Sequence, residues 1–152
     1  DLQGLEAFQF RPDPLTLICT REHALAQRRS LHLEEATHLE FVGLVAGSAL
    51  QEHIDHHARK AGKLISYRVR LASLDAVCRM VGLGIGVGVV PKATASRCAR
   101  SARIKQVALT DAWANRDLVL CTRTTDGLTA YVRLMMHNIL RGTPTRYHGT
   151  PQ

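Results

Sequence analysis

The residues with the clearest capacity for chemistry are the histidines of "HIDHH", residues 53–57. His53 and His57 stand four apart, on one face of a helix, and His56 is the neighbour at three. Two imidazoles so spaced can hold zinc, but a site needs a third and usually a fourth ligand. The acid of a metalloprotease HExxH is absent, since Ile54, Asp55 and His56 lie between. His23 and His137 are the distant candidates to complete a set. A metal-dependent hydrolase using His53 and His57 is therefore one reading, and a solvated helical face is the plainer one. "VAGSA", Val45 to Ala49, carries a different chemistry. A Gly-Ser pair between a buried strand and a helix start presents backbone N–H groups and a hydroxyl where the helix dipole favours an anion. Ser48 serves as a helix N-cap on either reading. No nucleophile elbow is present and no acid pair stands out, so no residue is assigned a catalytic role.

The third stretch, "MVGLGIGVGVVPK" (residues 80–92), is glycine-rich without being a phosphate cradle. A dinucleotide fingerprint runs strand, glycines, helix, whereas here a helix precedes and a strand follows. The third glycine's position is Val87, and the Gly-Lys-Ser/Thr of a Walker loop is absent. Gly84 suits the left-handed position after a helix, and Gly86 suits a tight turn into the strand Val87 to Val90. Pro91 then suits the first turn of the next helix.

The elements around these residues follow from periodicity. "LTLIC" (Leu15 to Cys19), "EFVGLV" (Glu40 to Val45) and "LISYRVRLA" (Leu64 to Ala72) read as strands, the last with Ile65, Tyr67, Val69 and Leu71 on one face. A helix begins at Ser48 and runs toward Gly62, with Leu50, Ile54 and Ala58 at helical spacing. A second, capped by Ser73, carries Leu74, Val77, Cys78 and Val81. "KATASRCARSA" reads as a third helix and "IKQVAL" (Ile104 to Leu109) as a further strand. "DLVLCT" leads through Asp126-Gly127 into a last helix with the stripe Leu128, Tyr131, Val132, Met135 and Ile139. Beyond Gly142 a loose tail, 143–152, is expected. Strands alternating with helices in this rhythm imply right-handed crossovers and a parallel sheet covered on both faces, an α/β fold.

The 152 residues suffice for one ordinary domain, and 45% apolar with 22% charged residues suits a packed core. The net charge of +7 raises nucleic acid, but the basic residues are spread along the chain and aromatics are few, which favours a mildly basic solvated surface. Cys19, Cys78, Cys98 and Cys121 are far apart with no CxxC, and read as free thiols of a cytosolic protein. The longest apolar run falls far short of a membrane span, so no membrane partner is expected.

The segments "PDPLTLICTREHALAQRRSLHLEEATHLEFVGLVAGSALQEHID", "VRLASLDAVCRMVGLGIGVGVVP" and "IKQVALTDAWANRDLVLCTR" resemble, in that order, the effector-binding domain of LysR-type transcriptional regulators. "EHALA" stands for that family's "HPLA" signature and "MVGLGIGVGVVP" for its "LVAAGLGIALLP"; the likeness covers roughly residues 4–141. Ala24 replaces the usual proline, and Gly82 and Gly88 stand where alanine is common. Gly82 within a helix should cost about 0.5–1 kcal/mol against alanine. The resemblance implies a bilobed, periplasmic-binding-protein-like (type 2) fold with a small effector in the cleft. Residues 13–115 would form the second lobe, 1–12 and 116–142 the hinge segments and a remnant of the first. The chain would then be a fragment of a longer regulator, without the rest of the first lobe and without the winged helix-turn-helix through which DNA is read. The implied ligand is a small organic anion held by Val45, Ala46, Gly47, Ser48 and Ala49, with Ser73 at the rim and Leu118 near the hinge. No cofactor and no metal are implied, and a homo-oligomer is. A transport-type solute-binding protein shares the fold, but the free cysteines lean against export.

Overall fold

A computed structural model describes residues 5–123 and 127–140. Asp126 and the tail 143–152 lie outside the described residues. The chain divides into two compact units, Pro14–Asn115 and a second made of Asp1–Asp13 with Arg116–Gln152.

The larger unit is a sheet covered on both faces. Its strands are β2 (Leu15–Thr20), β3 (Ser30–Leu31), β4 (Glu40–Leu44), β5 (Ser66–Leu71), β6 (Gly88–Pro91) and β7 (Ile104–Leu109). Helices α1 (Ala49–Lys60), α2 (Leu74–Gly82) and α3 (Lys92–Cys98) connect β4 through β7 in turn. β5 pairs parallel with β4, and Phe41 of β4 bridges Val87, in parallel, beside β6. β2 then lies between β6 and β7, antiparallel to both, and β3 closes the edge parallel to β7. The all-parallel expectation is thus corrected: the crossovers from β4 to β7 keep a parallel sense, and β2 is inserted against it. β2 reaches its neighbours without a helical crossover of its own, so nothing imposes the parallel direction.

Strand alternation sends side chains to two cores. Leu17, Cys19, Phe41, Val87, Val89 and Val107 pack with Ile54 and Ala58 of α1 on one face. Ile18, Val42, Val90 and Ile104 pack with Val77, Cys78 and Val81 of α2 and with Ala95 and Cys98 of α3 on the other. In β5 the expected single apolar face is corrected. The β4–β5 register slips by one residue between Phe41 and Val42. Ile65 and Tyr67 therefore join the first core while Val69 and Leu71 join the second.

The glycine-rich stretch is the joint from α2 to β6. Gly84 has φ +79°, the left-handed residue that ends the helix. Gly82 is there for closeness: a Cβ on it would lie 1.9 Å from the Ala102 carbonyl oxygen. The expected penalty of glycine against alanine is therefore reversed at this position.

The smaller unit pairs β1 (Glu6–Pro12) antiparallel with β8 (Asp117–Thr122) and adds α4 (Ala130–Leu140). Asp13 and Arg116, at its two ends, clasp each other. The Asp13 N–H donates to the Arg116 carbonyl (2.8 Å), and the Arg116 guanidinium donates to the Asp13 carbonyl and carboxylate. The apolar stripe expected for α4 is only partly buried. Met136, which that stripe left out, is the buried residue of this helix, whereas Tyr131 and Met135 are exposed. No helix among the described residues is long and apolar enough to cross a membrane.

Candidate functional site

β4 and β5 end level with each other, Leu44 opposite Leu71, and the Val45 N–H continues the ladder to the Leu71 carbonyl at 3.0 Å. The chain then turns: the Ser48 N–H donates to the Val45 carbonyl (3.3 Å), with Gly47 at φ +85°. Val45, Ala46, Gly47 and Ala49 are exposed, and Ser48 is half-buried. Ser48 occupies the N-cap position of α1, but its hydroxyl accepts no helix N–H, contrary to the expected cap. The first helical bond runs from the Glu52 N–H to the Ser48 carbonyl (2.9 Å). The amides of Ala49, Leu50 and Gln51 therefore have no acceptor within the helix, and they carry the positive end of its dipole. Ser73 behaves differently. Its Oγ accepts from the Ala76 N–H at 3.2 Å and caps α2 beside the same sheet edge. Leu118 lies half-buried on β8, opposite Arg11, in the other unit.

Sequence reasoning missed the side chains beneath this loop. The amide of Gln51, 3% exposed, accepts from the Leu44 N–H (2.8 Å) and donates to Asp55 Oδ1 (3.0 Å). The Gln51 amide also bonds the Tyr67 hydroxyl at 2.5 Å, and that hydroxyl donates to Asp55 Oδ1 at 2.6 Å. Burial and the neighbouring Asp55 push the Tyr67 phenol far above the usual tyrosine range, so it stays a neutral donor. The Arg70 guanidinium stacks 4.0 Å from the Tyr67 ring centroid, donates to the Leu44 carbonyl (3.3 Å) and stands 3.6 Å from Asp55 Oδ2. Both backbone groups of Leu44, the last residue before the loop, are thus held by side chains. The arrangement offers a loop held at its root by side chains, helix amides without an acceptor in the helix, a hydroxyl not used as a cap and an arginine beneath. Gln51 and Asp55 at helical spacing were visible in sequence. The register slip that brings Tyr67 and Arg70 to the α1 side was not.

The histidines are engaged with an indole. His57 stacks on Trp113, centroids 4.9 Å apart and 7° from parallel, and His53 meets both rings edge-on. His53 Nε2 lies 3.3 Å from the Trp113 carbonyl oxygen. Burial, then the neighbouring His53, His56 and Lys60, hold His57 below the usual imidazole range. Among the described residues no group of three or more His, Cys, Asp or Glu is placed to hold a metal. His23 instead accepts the Leu25 N–H at Nδ1.

A family model described as the LysR substrate binding domain matches residues 1–143. The chain belongs to that family. No curated protein matches it. Among solved structures, this LysR substrate-binding domain is similar to the effector-binding domain of QuiR in complex with shikimate (TM-score 0.78, 15% identity, 91% of this chain and 65% of that one). It is also similar to the regulatory domain of Synechocystis PCC6803 CcmR in complex with 2-PG (0.81, 16%, 91% and 66%). The regulatory domain of MetR, a LysR family regulator from N. meningitidis, aligns as well (0.77, 13%, 97% and 71%). At these identities the likeness is one of fold, and the chain spans just under two thirds of the QuiR and CcmR structures.

Proposed function

We propose that this LysR substrate-binding domain is the effector sensor of a cytoplasmic transcriptional regulator, and that its ligand is a small organic anion. The carboxylate or phosphate sits at the start of α1, on the amides of Ala49 to Gln51 and the Ser48 hydroxyl. Val45 to Gly47 line the apolar side, Ser73 forms the rim, and Arg70 supplies the nearest countercharge. The observation that carries this reading is the uncapped start of α1, a polar surface with its own N-cap side chain left unused. In this reading Pro14–Asn115 corresponds to the family's second lobe, and β1, β8 and α4 belong to the first. Ligand binding acts by shifting the population of regulator conformers, DNA is read by a winged helix-turn-helix outside these residues, and the regulator works as a homo-oligomer.

The test is a thermal-shift screen against small carboxylates and phosphates, including shikimate and 2-PG. A ligand at 100 times its Kd adds about 2.7 kcal/mol to the folded state. A stabilising compound whose effect is lost in Ser48→Ala and Arg70→Gln supports the reading. A stabilising compound indifferent to both variants, or no stabilisation across the panel, overturns it.

A further inference from the structure

Far from this loop in sequence, four segments of the larger unit bring cations to one place. The register of β2 on β7 sets Thr20 opposite Ile104 and Cys19 opposite Lys105, so Arg21 leaves β2 beside the start of β7. The Arg21 guanidinium reaches the Ala99 carbonyl at 3.4 Å, just past the end of α3. Gly82 of α2 abuts Ala102, which ties α2 to the same loop. Arg79 of α2 and Arg97 of α3 both act on Asp75, and Arg97 bonds it at 2.8 Å. Arg21, Arg79, Arg97, Arg100 and Arg103 are all exposed. Against these five stand Asp75, already bonded to Arg97, and the neighbouring Glu22, a net +3 on a chain whose total is +7. Arg103 is held at φ +56°, a left-handed conformation that a glycine or asparagine would adopt more readily.

We propose that this face binds the phosphate backbone of duplex DNA without reading its sequence. All five cations are arginines, whose planar forks match phosphate oxygens and stay charged at any physiological pH. The cluster holds no aromatic side chain to stack on bases, so single strands are not its target. Leu83 is the exposed apolar side chain beside it (73%), too little to seat the face in a bilayer. A sensor lying against its own operator flank gains affinity by the counterions that such contacts release. The choice of DNA as partner rests on the regulator reading above, but the contact does not depend on the loop at Val45.

The experiment is fluorescence anisotropy of a labelled duplex of arbitrary sequence titrated with the chain at 20–200 mM salt. A vesicle containing phosphatidylserine is titrated in parallel. Arg21→Gln/Arg100→Gln/Arg103→Asn removes part of the face, asparagine suiting the left-handed position. Arg29→Gln/Arg59→Gln/Lys60→Gln removes the same charge elsewhere in the unit, and melting curves show that both variants fold. The expected result is duplex binding that the first variant weakens about tenfold or more at 50 mM salt. Its log–log salt slope should fall by about 2 to 3, while the second variant changes little. Equal loss in both variants, no duplex binding at 20 mM salt, or tighter binding to vesicles than to duplex overturns the proposal. Duplex binding with a blank thermal-shift screen would leave this inference standing and the ligand-loop reading fallen.

Discussion

At the scale of single residues, Gly82 shows how packing reverses a propensity. In an exposed helix, alanine would stabilise that position by about 0.5–1 kcal/mol over glycine. Here a methyl group would overlap the Ala102 carbonyl, part of a backbone that cannot rotate away as a side chain would. Gly82→Ala is expected to destabilise the chain by about 1–3 kcal/mol, the cost of overpacking. Urea unfolding midpoints check it, and a stabilised variant would show that the 99–103 loop yields freely. The sequence made the glycine visible as a departure from a familiar pattern. Its reason lies in a residue twenty positions further on and could not be read locally. Ser48 teaches the converse. Its type and place predict a cap, and the structure puts it at the N-cap while leaving its hydroxyl off the helix.

At the scale of elements, the longer strands and the α-helices between Leu15 and Leu109 were legible from apolar period and turn residues, whereas the two-residue β3 was not. The direction of β2 was not. A fully buried strand shows the same continuous apolar run in a mixed sheet as in a parallel one. The facing of β5 was not legible either, since one slipped residue exchanges the faces beyond it and leaves no mark on composition. Of the candidate site, the loop and helix start were legible. The Gln51–Asp55–Tyr67–Arg70 network beneath it depended on that slip. The seam between α1 and Trp113 carries a pH prediction. His57 titrates below its ordinary range in the fold and near 6.5 when unfolded. The unfolded chain therefore binds more protons as the pH falls. The stability from this group is complete above pH 6.5 and is lost as pH drops through the folded pKa. Melting temperatures between pH 7.5 and 5 should decline, and His57→Gln should flatten part of that slope. A slope unchanged in the variant would assign the decline to other groups.

At the scale of the molecule, the two units differ in what they bury. The larger has two apolar cores, whereas in the smaller one Phe8 and Met136 are the buried large apolar side chains among its described residues. A two-stranded ribbon is marginal without a broad apolar face to pack on. Backbone amides of β1 and β8 are therefore expected to exchange with deuterium well before those of β2 and β7, measured by mass spectrometry of peptic fragments. Equal protection in the two ribbons would contradict this.

The position of β2 also sets a schedule. It is an interior strand of its sheet, and it comes before every other strand of that unit in the chain. Its Thr16 hydroxyl bonds the Val107 carbonyl, 91 residues later. A ribosome adding about 5–20 residues per second needs roughly 5 to 20 seconds to deliver that partner. Through that interval β4, α1, β5 and α2 can assemble from near neighbours, but Leu15 to Cys19 waits as an apolar strand, gaining β6 on one edge first and lacking its partner on the other. The nascent unit is most open to mispairing at its first strand, and the last strand of the unit, β7, closes the second edge and ends that exposure.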